Sequence, residues 1–159
     1  MENAVFANGC FWCTEAVFSS LKGVKSVMPG YSDGAESLEI KYDPKIISYD
    51  DLLSVFFNTH DPTTLNRQGN DIGPQYRSAI FYVNDMQKDK AATLIKELND
   101  SHAYDKQVVT EIKPLIKFDN AEEYHREFYK KNKDAPYCQL VIAPKLEKLQ
   151  KQFRSLLAY

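Results

Sequence analysis

The sequence predicts an α+β fold, a two-layer α/β sandwich with extensive coil, in one domain spanning residues 1–159. Three observations lead there. Short stretches with strand character alternate with segments of helical period. One long stretch, His60–Arg77, fits neither period. And 159 residues, 43% of them hydrophobic, supply one real core, while disorder is excluded.

The elements follow in order. An apolar run predicts a strand at Val5–Ala7, and a helix-compatible run follows from Cys10 to Leu21. Val24–Met28 and Leu38–Tyr42 read as strands. In the second of these, Leu38, Ile40 and Tyr42 share one face, and Ser37, Glu39 and Lys41 the other. Ser48 is a good N-cap for a helix that carries Leu52, Leu53, Phe56 and Phe57 on one side. After the coil at His60–Arg77 come a strand at Ala79–Val83 and a helix from Met86 to about Leu98. Ala91, Leu94, Ile95 and Leu98 are in register on that helix. A weaker strand within Val108–Ile112 is cut off by Pro114. Ala121–Lys131 is expected as a helix capped by Asn120 or Asp119, with His125 on a stripe with Ala121 and Tyr129. Pro144 opens the last helix, which presents Leu146, Leu149, Phe153 and Leu156.

Composition excludes several classes. Net charge is −2 and no long basic run exists, which argues against nucleic acid or a polybasic membrane surface as partner. No apolar stretch is long enough to span a bilayer. MENAVFANG shows no secretory pattern, so the cytoplasm is the expected location. Three cysteines is an odd number. Reactive or simply buried thiols are then the options, in place of a disulfide framework.

The stretch ANGCFWCTEA places Cys10 and Cys13 three apart, flanking Phe11 and the only tryptophan, Trp12. Cys10 falls where a strand becomes a helix. Unpaired N–H groups and the helix dipole favour thiolate there, and Gly9 permits the turn. Cys10 is thereby positioned as a nucleophile, and Cys13 lies one turn inside the helix. Thiol–disulfide exchange by the Cys10–Cys13 pair is one chemistry open to this pattern. A zinc site of Cys10, Cys13 and Cys138 with His60, His102 or His125 is another, with weak spacing support.

Two further regions carry candidates. If the strand at Leu38 extends back two residues, Glu36 falls on its apolar face, where burial raises a carboxyl pKa and makes an acid near neutrality. In the long coil, Asp71 sits between Gly69-Asn70 and Ile72-Gly73, and Tyr76 and Arg77 stand just ahead of the next strand. Such a loop can bring both to a pocket, or lie on the surface around an Asx turn.

Taken together, GCFW at Gly9–Trp12, GYSDG at Gly30–Gly34, Ala35-Glu36, HDPTTLNRQGNDIGPQYRS at His60–Ser78, AEEYH at Ala121–His125 and Tyr137-Cys138 resemble the A-type peptide methionine sulfoxide reductases. The resemblance runs from about Val5 to Lys148. It implies a ferredoxin-like sandwich and reduction of the S epimer of methionine sulfoxide, free or in peptides. It further implies that Cys10 attacks the sulfoxide sulfur, that Phe11 and Trp12 wall the methyl pocket, and that Glu36 protonates the oxygen. Tyr76 would bind that oxygen, Asp71 would order the site, and Cys138 would resolve the sulfenic acid formed on Cys10. Thioredoxin would then restore the thiols, with no metal or organic cofactor, in a monomer.

The sequence departs from the family pattern in three places. Only Gly34 and Ala35 separate Asp33 from Glu36, where the family has a longer insertion that supplies a second tyrosine hydroxyl. Tyr31, Tyr42 and Tyr49 are the possible substitutes. Cys13 is an additional thiol. And QLVIAPKLEKLQKQF, after Cys138, reads as an apolar stretch followed by a helix, in place of a glycine-rich tail.

Overall fold

A computed structural model describes residues 1–158. Four antiparallel strands form its centre: β1 (Glu2–Asn8), β2 (Val24–Ser32), β3 (Ala35–Tyr42) and, after two very short strands β4 (Arg67–Gln68) and β5 (Asp71–Ile72), β6 (Ser78–Tyr82). Strands β7 (Glu111–Pro114) and β8 (Asp119–Asn120) extend the sheet to the order β7-β6-β1-β3-β2-β8. Helix α1 (Phe11–Phe18) joins β1 to β2, and α2 (Tyr49–Asn58) follows β3. With this connectivity the inner order β6-β1-β3-β2 is the ferredoxin-like one that the family resemblance implies.

Strand parity explains both faces. Ala4 and Phe6 of β1, Leu38, Ile40 and Tyr42 of β3, and Ile80 of β6 point to one side. There they bury against Val17 and Phe18 of α1 and Leu52, Leu53 and Phe56 of α2. Ala91 of α3 (Asp85–Asp100) and Leu149 of α5 (Ala143–Gln152) complete this layer. Val5, Ala7, Ala35, Ala79 and Phe81 face the other way and are covered by Leu115 and Phe118. Ser48 caps α2 reciprocally with Asp51, and Asn84 caps α3 through the N–H of Gln87.

Three expectations need correction. The strand expected within Val108–Ile112 begins at Glu111 and includes Pro114. It runs parallel to β6 at the edge of the sheet, where a missing N–H is tolerated. The stretch at His60–Arg77 contains the β4–β5 hairpin and a 3-10 turn at Pro74–Tyr76. Ala121–Lys131 is not one helix. It comprises a 3-10 turn at Glu123–His125, a break at Glu127 in the left-handed region (φ 54°), and the single turn α4 (Phe128–Lys131). Asp119 and Asn120 pair with β2 as β8 instead of capping a helix.

Candidate active site

Cys10 is the N-cap of α1, with extended backbone (φ −61°, ψ 127°), and its carbonyl accepts the N–H groups of Cys13 and Thr14. Gly9 before it has φ +103°, and a Cβ there would lie 2.8 Å from the Gln68 side chain. Only glycine meets both conditions. Cys10, Cys13 and Cys138 are all buried in one apolar cluster with Ala16 and Ile142. Cys138 begins a wide helical turn, Cys138–Ile142, that runs directly into α5.

The first two thiols act as a pair. Cys13 is drawn down to about 7, chiefly by a hydrogen bond from the Cys10 thiol, with help from the Lys145 ammonium and the Tyr137 hydroxyl. Burial and Asp71 oppose that fall without cancelling it. Cys10 is pushed up, first because it donates to Cys13, then by burial and by the Cys13 charge. The helix N-terminus still acts on Cys10 through the Trp12 N–H, which lowers its pKa, but a neighbouring thiol outweighs it. The lowering of Cys10 expected from its position alone is therefore opposed by the pairing, which raises Cys10 and lowers Cys13. Tyr137 stands 3.5 Å from the Cys13 sulfur and 3.1 Å from Asp71 Oδ2, with one hydroxyl proton to share. Burial and the adjacent thiols keep it protonated.

Glu36 lies inside β3, which starts at Ala35, so the longer strand is the one that forms. Its carboxyl accepts the Phe11 N–H at 3.2 Å. Burial raises its pKa, and the Asp71 charge adds to this against the Phe11 hydrogen bond. Tyr76 ends the turn at Pro74 and packs against the thiol cluster. Its hydroxyl is also held protonated, by burial and by the charges of Glu36, Asp71 and Cys10. Asp71, on β5, shares a cavity of about 280 Å³ with Cys10, Cys13, Gln68, Tyr137 and Lys145. Cys10, Cys13, Cys138, Glu36, Asp71 and Tyr76 thus lie around one site.

Phe11 is buried, with Tyr31 and His125 rings 5.5 and 5.0 Å from its own. Trp12 is half-buried and stacks on Phe128 at 3.7 Å with 8° between the planes. Its indole N–H donates to His125 Nδ1 at 3.0 Å, and Tyr137 meets it edge-on. Phe128, Tyr137 and Lys145 stand at the site with no role in the sequence reading, and His125, a zinc candidate there, is the partner of the indole. Helical periodicity assigned His125 to a stripe that does not form, and Tyr137 was passed over beside the cysteine it precedes.

Of the proposed tyrosine substitutes, Tyr42 and Tyr49 belong to the core. Tyr31 alone stands at the site, paired across the strands with Glu36. Of the histidines of the zinc reading, His60 bonds the Phe56 carbonyl and Ser78, His102 lies past the end of α3, and only His125 is at the site, where it accepts from Trp12.

A thiol pair at a helix N-terminus, faced by a protonatable carboxyl and walled by aromatic rings, is the equipment of a thiol-dependent reductase. The family model described as peptide methionine sulfoxide reductase matches residues 2–157. A peptide methionine sulfoxide reductase of Saccharolobus solfataricus is 49% identical, covering 96% of this chain and 95% of its own. One of Chromobacterium violaceum is 45% identical over 174 aligned positions, covering 99% of each chain. That alignment is longer than this chain, so the relative carries residues that are absent here. Among solved structures, the chain resembles reduced Mxr1 of Saccharomyces cerevisiae (TM-score 0.80, 31% identity, covering 86% of this chain and 88% of that one). It also resembles Mxr1 in a complex with Trx2 (TM-score 0.58, 27% identity, 80% and 84% covered). The chain belongs to the peptide methionine sulfoxide reductase family.

Proposed function

We propose that this protein reduces methionine-S-sulfoxide, free or in peptides and proteins, to methionine, and so repairs oxidised proteins. One observation carries the reading: Glu36 holds the N–H of the residue next to Cys10, so acid and nucleophile bracket a single peptide unit. A sulfoxide oxygen leaves sulfur only when protonated, which requires an acid kept protonated beside the thiol. Glu36 serves as that acid, and Tyr76 donates a hydrogen bond to the same oxygen. Asp71, through Tyr137, orders the polar side of the cavity. Phe11 and Trp12 give the methyl group an apolar, polarizable wall.

In the reductive step the Cys10 sulfur attacks the sulfoxide sulfur and Cys13, as thiolate, takes the Cys10 proton. The S–O bond of the protonated sulfoxide breaks as its hydroxyl passes to the Cys10 sulfur, the transient S–S bond breaks with its electron pair left on the methionine sulfur, and methionine leaves a sulfenic acid on Cys10. Condensation with a second thiol then forms a disulfide and releases water. Cys138 lies in the same apolar cluster as Cys10, but its place at the head of α5 gives it no flexible arm. Cys13 lies in the same cluster, one turn into α1 from Cys10, where regular helix spacing rarely aligns two thiols for a disulfide. Cys138 is the thiol assigned to close the disulfide with Cys10, and Cys13 is the alternative resolving thiol. Thioredoxin reduces the product, a role supported by the likeness to Mxr1 in its Trx2 complex. No metal or organic cofactor takes part. In this reading the protein works as a one-domain monomer in the cytoplasm.

The test is turnover of the separate S and R epimers of an N-blocked methionine sulfoxide with dithiothreitol. Methionine should form from the S epimer alone and only while Cys10 is intact. Turnover undiminished in Cys10→Ser would overturn the assignment. A second reading, general thiol–disulfide exchange, rests on the Cys10–Cys13 hydrogen bond. It leaves Glu36 and Tyr76 without a task.

A further inference from the structure

Glu15 lies one helical turn beyond Trp12 on α1 and takes no part in the chemistry above. It is 4% exposed, yet charged in type. Its Oε1 accepts the backbone N–H of Glu127 at 2.6 Å, a contact spanning 112 residues of sequence. Glu127 is the left-handed residue at which the segment after His125 breaks. The next residue is Phe128, the ring stacked on Trp12. Beside it, the Nε of Arg126 is buried without a hydrogen-bond partner, so this segment gives up a contact of its own to sit here. A backbone held in a strained conformation persists only where its surroundings fix it.

We propose that Glu15 is a positioning residue: its carboxylate tethers the Arg126–Phe128 segment and so clamps Phe128 against the Trp12 wall of the substrate pocket. The role of Trp12 as that wall rests on the function proposed above; the tether itself does not. An ionised carboxylate accepts both the Glu127 and the Phe128 N–H groups, and a neutral one holds them more weakly. Burial raises the Glu15 pKa to about 7, with Glu127 adding to the rise and Arg126 and the two N–H groups opposing it. Lys130 and Lys133 line one cavity that Glu15 borders, and Lys25 and Arg126 line a second. The clamp therefore tightens as pH rises through neutrality.

Trp12 is the only tryptophan, so its fluorescence reports the clamp directly. Expected in Glu15→Ala, with native circular dichroism, are greater acrylamide quenching of Trp12 and a KM for an S-sulfoxide peptide raised roughly tenfold, the equivalent of one charge-assisted hydrogen bond. The kcat should change less, and Glu15→Gln, which keeps an acceptor, should restore most of the loss. In the wild type, Trp12 emission should titrate near pH 7, and the share of that step owed to Glu15 should be lost in Glu15→Gln, while the share owed to Cys13 beside the indole is common to both proteins. His125, bonded to the indole, is present in both proteins and cancels in the difference. Hydrogen exchange on the wild type needs no variant: the protection factor of the Glu127 amide should fall between pH 8 and pH 5.5. Equal protection at both pH values, or unchanged quenching in both variants, overturns the tether. Fluorescence and exchange involve no sulfoxide, so the clamp and the proposed activity stand or fall separately.

Discussion

Tyr31 and Glu36 face each other across β2 and β3, and the turn that joins their strands is only two residues long, Asp33-Gly34. Both turn residues have positive φ, 50° and 75°, the conformation of a tight hairpin that matches strand twist. Arg77 clasps it, donating to the Asp33 carbonyl and carboxylate, while its Nε reaches Glu111. A one-residue shift of β3 would turn Glu36 to the opposite face. Nothing lies within 4 Å of a Cβ built on Gly34, so a substitution there costs backbone strain alone. Gly34→Val should lower unfolding stability by about 1–3 kcal/mol and Gly34→Asn by less, as read by urea denaturation.

Glu36→Gln should reduce sulfoxide turnover by roughly 10²–10⁴-fold, the usual worth of general acid catalysis. Exchange with a small aromatic disulfide should be little affected, since no oxygen needs a proton there. Because the folded carboxyl is raised, it remains protonated to higher pH than an ordinary glutamate. Sulfoxide turnover should therefore fall as pH rises through that raised value. Equal loss of both activities would favour general disulfide exchange.

The thiol pair should bind alkylating agents with a first midpoint at about pH 7, located at Cys13 by peptide mapping. Tyr137→Phe removes one stabilising hydroxyl and should move the midpoint upward. Lys145→Met removes the nearby ammonium and should act in the same direction. Alkylation that first appears at Cys10 with an unshifted midpoint in both variants would show that the charge rests elsewhere.

His60 sets an acid limit on stability. Its Nδ1 donates to the Phe56 carbonyl at 2.6 Å, and Nε2 accepts from Ser78, whose oxygen pairs with Thr110. Desolvation lowers its pKa to about 3, so the folded state holds it neutral. The unfolded chain protonates near 6.5, and stability is lost as pH falls below that value toward 3. For a half-buried ring the loss is roughly 2–4 kcal/mol. The stability difference between wild type and His60→Asn, followed by thermal melts from pH 7 to pH 4, should shrink accordingly.

Much of this was legible in the sequence because it is local. The N-cap at Ser48, the alternation in Leu38–Tyr42 and the Cys10 junction depend on neighbours within a few residues. Glu36 needed one further fact, the start of its strand, and the Asp33-Gly34 turn supplies it. What the sequence hid lies in long-range pairing. His125 reads as a helical residue until Trp12, 113 positions away, claims its Nδ1. The break at Glu127 follows from Glu15, which no local pattern couples to it. The charge on the thiol pair depends on a second sulfur, Tyr137 and Lys145, which packing alone unites.

The sheet order also has a consequence for the newborn chain. β1 is the earliest strand to leave the ribosome, yet it lies at the centre, between β3 and β6. Its inner side pairs with β3 soon after, but Val5–Asn8 must wait for Ser78–Phe81, some seventy residues later in synthesis. Until then Val5 and Ala7 hold an open, apolar edge to solvent, the surface that chaperones recognise and aggregates recruit. Distant pairing of this kind also slows folding. Assembly of β6 onto β1 is then the vulnerable moment in its production.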